Sequence, residues 1–280
     1  MKKLKSYVKM IALAGLLISV GMLSACSSKG ASVVIIAGST SVQPYAEMLA
    51  ERYTAQFPET EIDIQGGGSA AGIMAAETGA ADIGMSSRDL NESESSLWHV
   101  EIAKDGLAII IHPNNPIQDL TLEQIRDIYA FKTNNWNELG GPDAKIHVIT
   151  REEGSGTRSA FESLVMGKEE ITPRAIVQGS NGAVRQLVSS DRNSIGFISM
   201  GLVDQTVKAI YLEGIEATWD NVLNGSYSLF RPFLFVAESE PTGLAKEFVD
   251  YTLSAEGQRL LITEGLIPNQ SVQGIENEAF

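Results

Sequence analysis

The stretch Arg151-Glu152-Glu153-Gly154-Ser155-Gly156-Thr157-Arg158 holds groups suited to gripping an anion. Arg151 supplies a guanidinium that can hold a tetrahedral oxyanion through two N–H groups at once, and Ser155 and Thr157 add hydroxyl donors. The segment follows the apolar run Ile146 to Ile149, read as a strand ending at Thr150. It precedes a stretch with apolar residues at 161, 164 and 165, a helical spacing. It is therefore a strand-to-helix turn with small residues where the helix begins. Such a turn presents unpaired backbone N–H groups at the positive end of the helix dipole. Alone, it is equally a helix cap beside a surface arginine. The same turn recurs, however, at Gly38-Ser39-Thr40-Ser41, after the apolar run Val33 to Ala37, and at Gly66-Gly67-Gly68-Ser69, after the alternating run Glu61 to Gln65. A fourth short strand, Ala81 to Met85, ends in Ser86-Ser87-Arg88-Asp89, and in open α/β sheets strand ends at the topological switch carry the ligand contacts.

The elements that must position these turns alternate between strand and helix, which indicates an α/β layered fold. A helix with Pro44 in its first turn follows the 38–41 turn, and a small-residue helix, Ala70 to Thr78, follows the 66–69 turn. Residues 91–104 are polar and read as helix and loop, and Gly106 to His112 as an apolar strand. Thr121 and Gln124 form a capping box for a helix reaching Ala130, and 132–142, with Trp136, reads as loop. A helix after Ser180-Asn181-Gly182, strands at 194–200, 208–212 and 228–236, and a helix from Gly243 to Gly265 complete the chain. The two long apolar strands near 106–112 and 228–236 are the natural crossovers between two lobes. Lobe one is then 33–110 plus 234–280, and lobe two 111–233.

Residues 1–25 read as a secretory signal: Lys2, Lys3, Lys5 and Lys9, an apolar core from about Met10 to Met22, then small residues. That core is too short for a comfortable membrane span. Leu23-Ser24-Ala25-Cys26 resembles the lipobox of bacterial lipoproteins, which makes Cys26 the lipidated (palmitate-bearing) first residue of the mature chain, followed by a tether over 26–32. Cys26 is also the only cysteine, so an internal disulfide is excluded. Loss of the four leader lysines takes the formal charge from −14 to −18. Such a chain lacks the basic face that nucleic acid requires and is not drawn electrostatically to anionic lipid. A small anion is not excluded, because local donors govern a buried site.

The stretches G-S-T-S at 38–41, Q-G-G-G-S at 65–69, D-I-G-M-S-S-R at 82–88, L-E-Q-I-R-D-I-Y at 122–129, N-W-N-E-L-G at 135–140, R-E-E-G-S-G-T-R at 151–158 and S-I-G-F at 194–197 resemble, in order, the phosphate-binding proteins of bacterial ABC transporters. The resemblance covers almost the whole mature chain. It implies a two-lobe periplasmic-binding-protein fold, type II-like, with two crossover strands and an interlobe cleft holding dehydrated phosphate. Carried over by position, the ligand contacts fall on Thr40, Ser41, Ser69 and Ser87 from lobe one and on Arg151, Ser155, Gly156 and Thr157 from lobe two. Glu153 falls where an acid holds the binding arginine; it is otherwise a solvated first-turn acid. Ser87 replaces the aspartate that, in the best-studied branch, accepts the proton of hydrogen phosphate. Arg88 beside it either adds positive charge to the site or points to solvent. The implied protein is a monomeric, lipid-anchored receptor on the outer face of the cytoplasmic membrane. It serves permease subunits of an ABC transporter and uses no cofactor or metal.

Other readings are a receptor for sulfate, molybdate or phosphonate, a secreted hydrolase, or a surface adhesin. Against a hydrolase, the sequence has no G-x-S-x-G elbow, S-x-x-K or H-E-x-x-H. His99, His112 and His147 are far apart, and none adjoins a serine turn. An adhesin leaves three anion-type turns without a purpose.

Overall fold

The computed structural model describes residues 32–269. The secretory signal, Cys26 and the tether, apart from Ser32, lie outside the described residues. The first half of the chain runs β1 (Ser32–Gly38), α1 (Gln43–Gln56), β2 (Thr60–Gly66), α2 (Ser69–Glu77), β3 (Ile83–Ser86) and β4 (Trp98–Ile111). The middle runs β5 (Asp119–Leu120), α3 (Leu122–Tyr129), β6 (His147–Arg151), α4 (Gly156–Phe161), β7 (Ile176–Gln178), α5 (Asn181–Ser190), β8 (Ser194–Ser199), β9 (Lys208–Ala209), β10 (Tyr211–Leu212) and α6 (Trp219–Leu223). The chain then returns through β11 (Phe230–Ala237), α7 (Gly243–Leu253), α8 (Ala255–Thr263) and β12 (Ile267–Pro268).

One sheet carries the site, in the order β2-β1-β3-β11-β4-β8-β6-β7, with β9 and β12 also on β4. Parallel pairing joins β1 to β3 and β6 to both β7 and β8. Between these two parallel blocks lie β4 and β11, which run antiparallel to each other. The first part of β4 pairs with β11 and Leu107 to Ile111 pair with β8, so one continuous strand belongs to both blocks. Apolar packing divides in the same place. Ile102, Ala103, Phe233 and Phe235 join the core under β1 and α1, while Leu107, Ile109 and Leu229 join the core around Trp136, Phe161 and Phe197. The result is a two-lobed α/β fold joined by two crossover strands, β4 and β11.

Several elements differ from the sequence reading. Strand β4 starts at Trp98, where helix and loop were expected, and Glu92–Glu94 forms only a single 3-10 turn. Trp98, Val100 and Ile102 alternate with His99 and Glu101, the period-two signal of a strand, but the polar content of the segment hides it. The expected helix 243–265 is two helices. They break at Ser254, whose hydroxyl accepts from Gly257 N at 3.2 Å and caps α8. The run 208–212 splits at Ile210 because β9 pairs with β4 while β10 pairs with β5. Trp136 is fully buried, and its ring N–H donates to Asn193 O at 3.0 Å. No helix among the described residues is long and apolar enough to cross a membrane.

Helix α2 lies unusually close to the sheet because Gly72 has no side chain. A Cβ there would sit 2.5 Å from Ala37 O and 2.5 Å from Gly38 Cα, both backbone atoms. Gly72→Ala must therefore push α2 outward, and it is expected to lower the stability measured by denaturant unfolding by about 1–3 kcal/mol.

Candidate functional site

At the end of β1 the chain turns under Gly38, whose carbonyl accepts from both Gly67 N and Gly68 N at 2.9 Å. This ties the 38–41 turn to the 66–69 turn and sets the hydroxyls of Ser39, Ser41 and Ser69 side by side. Ser87, at the end of β3, completes the group. Ser39 Oγ donates to Ser87 Oγ at 2.9 Å, Ser87 N donates to Ser69 Oγ at 3.0 Å, and the Ser69 and Ser87 hydroxyls are 3.3 Å apart. All four serines are buried.

The second lobe meets this cluster with the start of α4. Ser155 is the N-cap, its hydroxyl accepting from Arg158 N at 3.3 Å. Thr157 Oγ1 lies 2.8 Å from Ser41 Oγ, and Ala70 N donates across the cleft to Gly154 O at 3.0 Å. Gly156 is glycine for want of room, since a Cβ would fall 2.2 Å from Ser69 Oγ and 2.6 Å from Ser87 Oγ. Arg151, the last residue of β6, is buried and donates to Thr40 Oγ1 at 3.1 Å. Its Nη1 is buried without a protein partner. The structure thus brings Thr40, Ser41, Ser69 and Ser87 together with Arg151, Ser155, Gly156 and Thr157.

Two expected supporting residues do not act as the sequence reading had them. Glu152, not Glu153, holds Arg151, accepting from Nε and Nη2 at 2.8 Å each, and Glu153 is exposed. Glu152 folds back against the turn at Gly68, where an added Cβ would lie 3.4 Å from its Oε1. Arg88 is locked to Glu94 by two bonds, of 2.7 and 2.8 Å, and also donates to Asp89 O. It neither supplies charge to the hydroxyl cluster nor stands free in solvent. In return the Arg88 guanidinium holds the Glu94 carboxyl below its ordinary range, against an opposing push from partial burial.

Three residues at the site were missed. Asn181, the first residue of α5, donates from Nδ2 to Ser41 Oγ at 2.8 Å. Arg231, on β11, donates from Nη2 to the same oxygen at 3.2 Å and pairs with Asp105 of β4 at 2.9 and 3.1 Å. Burial pushes the Asp105 carboxyl up and the Arg231 guanidinium down, against their mutual attraction. A signal existed for Arg231, the one charge inside an otherwise apolar strand, whereas Asp105 stands in β4 beside Lys104 and near Glu101.

The histidines stand apart from the hydroxyls. His147 Nδ1 is 2.6 Å from Asp191, His112 accepts from Asn114 N, and His99 contacts Leu97 O. What the cleft offers is a set of converging donors from two lobes, an arrangement that holds a compact anion.

A family model for the PBP superfamily domain matches residues 25–256. The chain belongs to the PBP superfamily. Within it, the chain is 31% identical over 246 residues to the phosphate-binding protein PstS of Bacillus subtilis, covering 86% of this chain and 82% of that one. Among solved structures it is similar to a putative phosphate ABC transporter substrate-binding protein with bound phosphate from Clostridium perfringens. That likeness has a TM-score of 0.83 and 46% identity, covering 85% of this chain and 100% of that one. An ABC-type phosphate transport receptor from Vibrio cholerae matches with a TM-score of 0.71 and 43% identity, over 84% of this chain and 100% of that one. The fold that carries the cleft of this PBP-superfamily member is therefore shared with those two solved structures.

The exchange of Glu153 for Glu152 is open to a direct check. Glu152→Ala strips a buried guanidinium of its carboxylate and is expected to lower thermal stability by about 1–2 kcal/mol. Glu153→Ala is expected to stay within about 0.5 kcal/mol of the parent in the same melts.

Proposed function

We propose that this protein captures inorganic phosphate between its two lobes and delivers it to an ABC permease for import. The observation that carries the reading is the buried Nη1 of Arg151, which has no protein acceptor while Nη2 of the same guanidinium reaches the Thr40 hydroxyl of the other lobe. Taking a doubly charged anion out of water is tolerable only when nearly every oxygen meets a donor. Thr40, Ser41, Ser69, Ser87, Arg151, Ser155, Gly156 and Thr157 supply such donors. An anion that bridges the lobes favours the closed arrangement over the open one, and that difference drives hinge closure within β4 and β11. The lobes in this reading are those expected from the sequence, exchanging within these two strands.

The closed, loaded form then docks on the permease, which opens it and accepts the anion. Binding, with no chemical change to the ligand, suits a hydroxyl cluster that has no histidine against it. Lipidation of Cys26 would hold the monomer at the outer face of the cytoplasmic membrane. The relatives named as phosphate-binding or phosphate-transport proteins support the choice of ligand.

Calorimetric titration of the ligand-stripped mature protein is expected to give tight phosphate binding. In Arg151→Ala the loss should be about 2–5 kcal/mol, as for a truncated buried charge contact. Near-parental affinity in that variant removes Arg151 from the site. Cys26→Ala is expected to release the protein from the membrane fraction or to stop its processing, and unchanged retention on membranes would contradict the anchor.

A further inference from the structure

Ser41 is where both lobes and a crossover strand meet. Its Oγ is the acceptor for Asn181 Nδ2 at 2.8 Å and for Arg231 Nη2 at 3.2 Å, and it lies 2.8 Å from Thr157 Oγ1. A serine hydroxyl has two lone pairs and one proton. With both lone pairs engaged, its O–H can serve only as a donor. Arg231 is almost wholly buried, and its Nη1 has no protein acceptor. Among the described residues only one other guanidinium nitrogen is buried and unpartnered, Nη1 of Arg151. A charged donor left without a partner in the interior is costly. The Phe233 ring, 5.5 Å from the guanidinium carbon, makes up only part of that cost.

We infer that Arg231 is the second arginine of the anion site, a positioning residue that fixes Ser41 as a donor and makes the cleft prefer a doubly charged tetrahedral oxyanion to a singly charged one. This rests on the phosphate reading above and goes beyond it in naming the charge state taken.

The charges around the cleft bear this out. Arg151 is matched by Glu152 and Arg231 by Asp105, and both carboxylates are engaged by their arginines. The ionisable groups facing Arg231 are Asp105 from β4, Tyr45 from α1 and Arg151 from β6. Arg88, tied to Glu94, and Asp89 line a cavity of about 200 Å³ beside it. Asp105 is held on its other oxygen by Ser199 Oγ at 2.7 Å, and Ser199 N donates to Asn181 Oδ1 at 3.3 Å. A closed ring of bonds, Asp105–Arg231–Ser41–Asn181–Ser199, thus joins the two crossover strands to the anion turn. The pair is neutral as a whole, but its arginine end is the one bonded to Ser41 while Asp105 is held by Ser199, so the anion turn meets the positive end of a dipole, whose attraction grows with the ligand's charge.

The test is calorimetric titration with phosphate on either side of its second ionisation, and with sulfate, a dianion under both conditions. The unaltered protein is expected to bind phosphate more tightly on the alkaline side, and affinity that falls there overturns the inference. Replacing the whole pair, as Asp105→Leu with Arg231→Met, leaves no orphaned charge, and such exchanges are often tolerated. The folded double variant should lose about ten- to hundredfold for dianionic phosphate and for sulfate, and much less for monoanionic phosphate. A folded double variant with the parental ratio between the two conditions overturns the inference and leaves the pair as a brace between strands. If the double variant does not fold, the alkaline preference of the unaltered protein decides the matter. Binding of neither phosphate nor sulfate by the unaltered protein is a different failure, that of the phosphate reading.

Discussion

A guanidinium taken out of water must be matched, and that requirement organises this cleft. Arg151 is buried at the end of a strand, where Glu152 accepts from its Nε and Nη2 and the same Nη2 also donates to Thr40 in the opposite lobe. What is left is Nη1, whose N–H groups are buried without a protein acceptor, while the serine hydroxyls of the first lobe bond one another. The lobes therefore meet through an array of donors that lacks one partner, an anion. The pattern of glycines follows from the same constraint. Gly156 and Gly72 let backbones come close enough for four turns to share one small volume.

The second constraint is mechanical. β4 belongs to both cores, and β11 lies in the first and leaves the second through Leu229, so any opening of the cleft must be absorbed where these strands pass between the lobes. A buried ion pair sits at that point. As a stabiliser it is a doubtful device, because desolvation offsets much of the attraction. Its placement makes better sense as a link between the anion turn and the strands that must bend.

Much of the site was legible in the sequence because its parts are local. An apolar run followed by Gly, Ser and Thr and then a helical pattern is a strand-to-helix turn wherever it occurs, and three such places converge here with the strand end at Ser86-Ser87. What escaped reading was non-local or depended on orientation. Glu152 and Glu153 are adjacent acids at a strand end, and which one folds back onto Arg151, beside the turn at Gly68 far away in the chain, is a matter of orientation that the sequence does not carry. Arg231 and Asp105 look like incidental charges until the antiparallel pairing of β4 with β11 sets them side by side. Asn181 was visible as a helix cap but not as a cleft residue, since β7, the strand before it, is short and half exposed. The early start of β4 was hidden because its outer half carries polar residues on one face.

The measurement that bears most directly on this account is a crystal structure of the mature protein grown with phosphate. The account predicts one tetrahedral feature between the lobes, within hydrogen-bond distance of Arg151 Nη1, the Ser155 to Thr157 turn and the hydroxyls of Ser41 and Ser69. Phosphate bound elsewhere, or a cleft that stays empty with Arg151 turned to solvent, would contradict it.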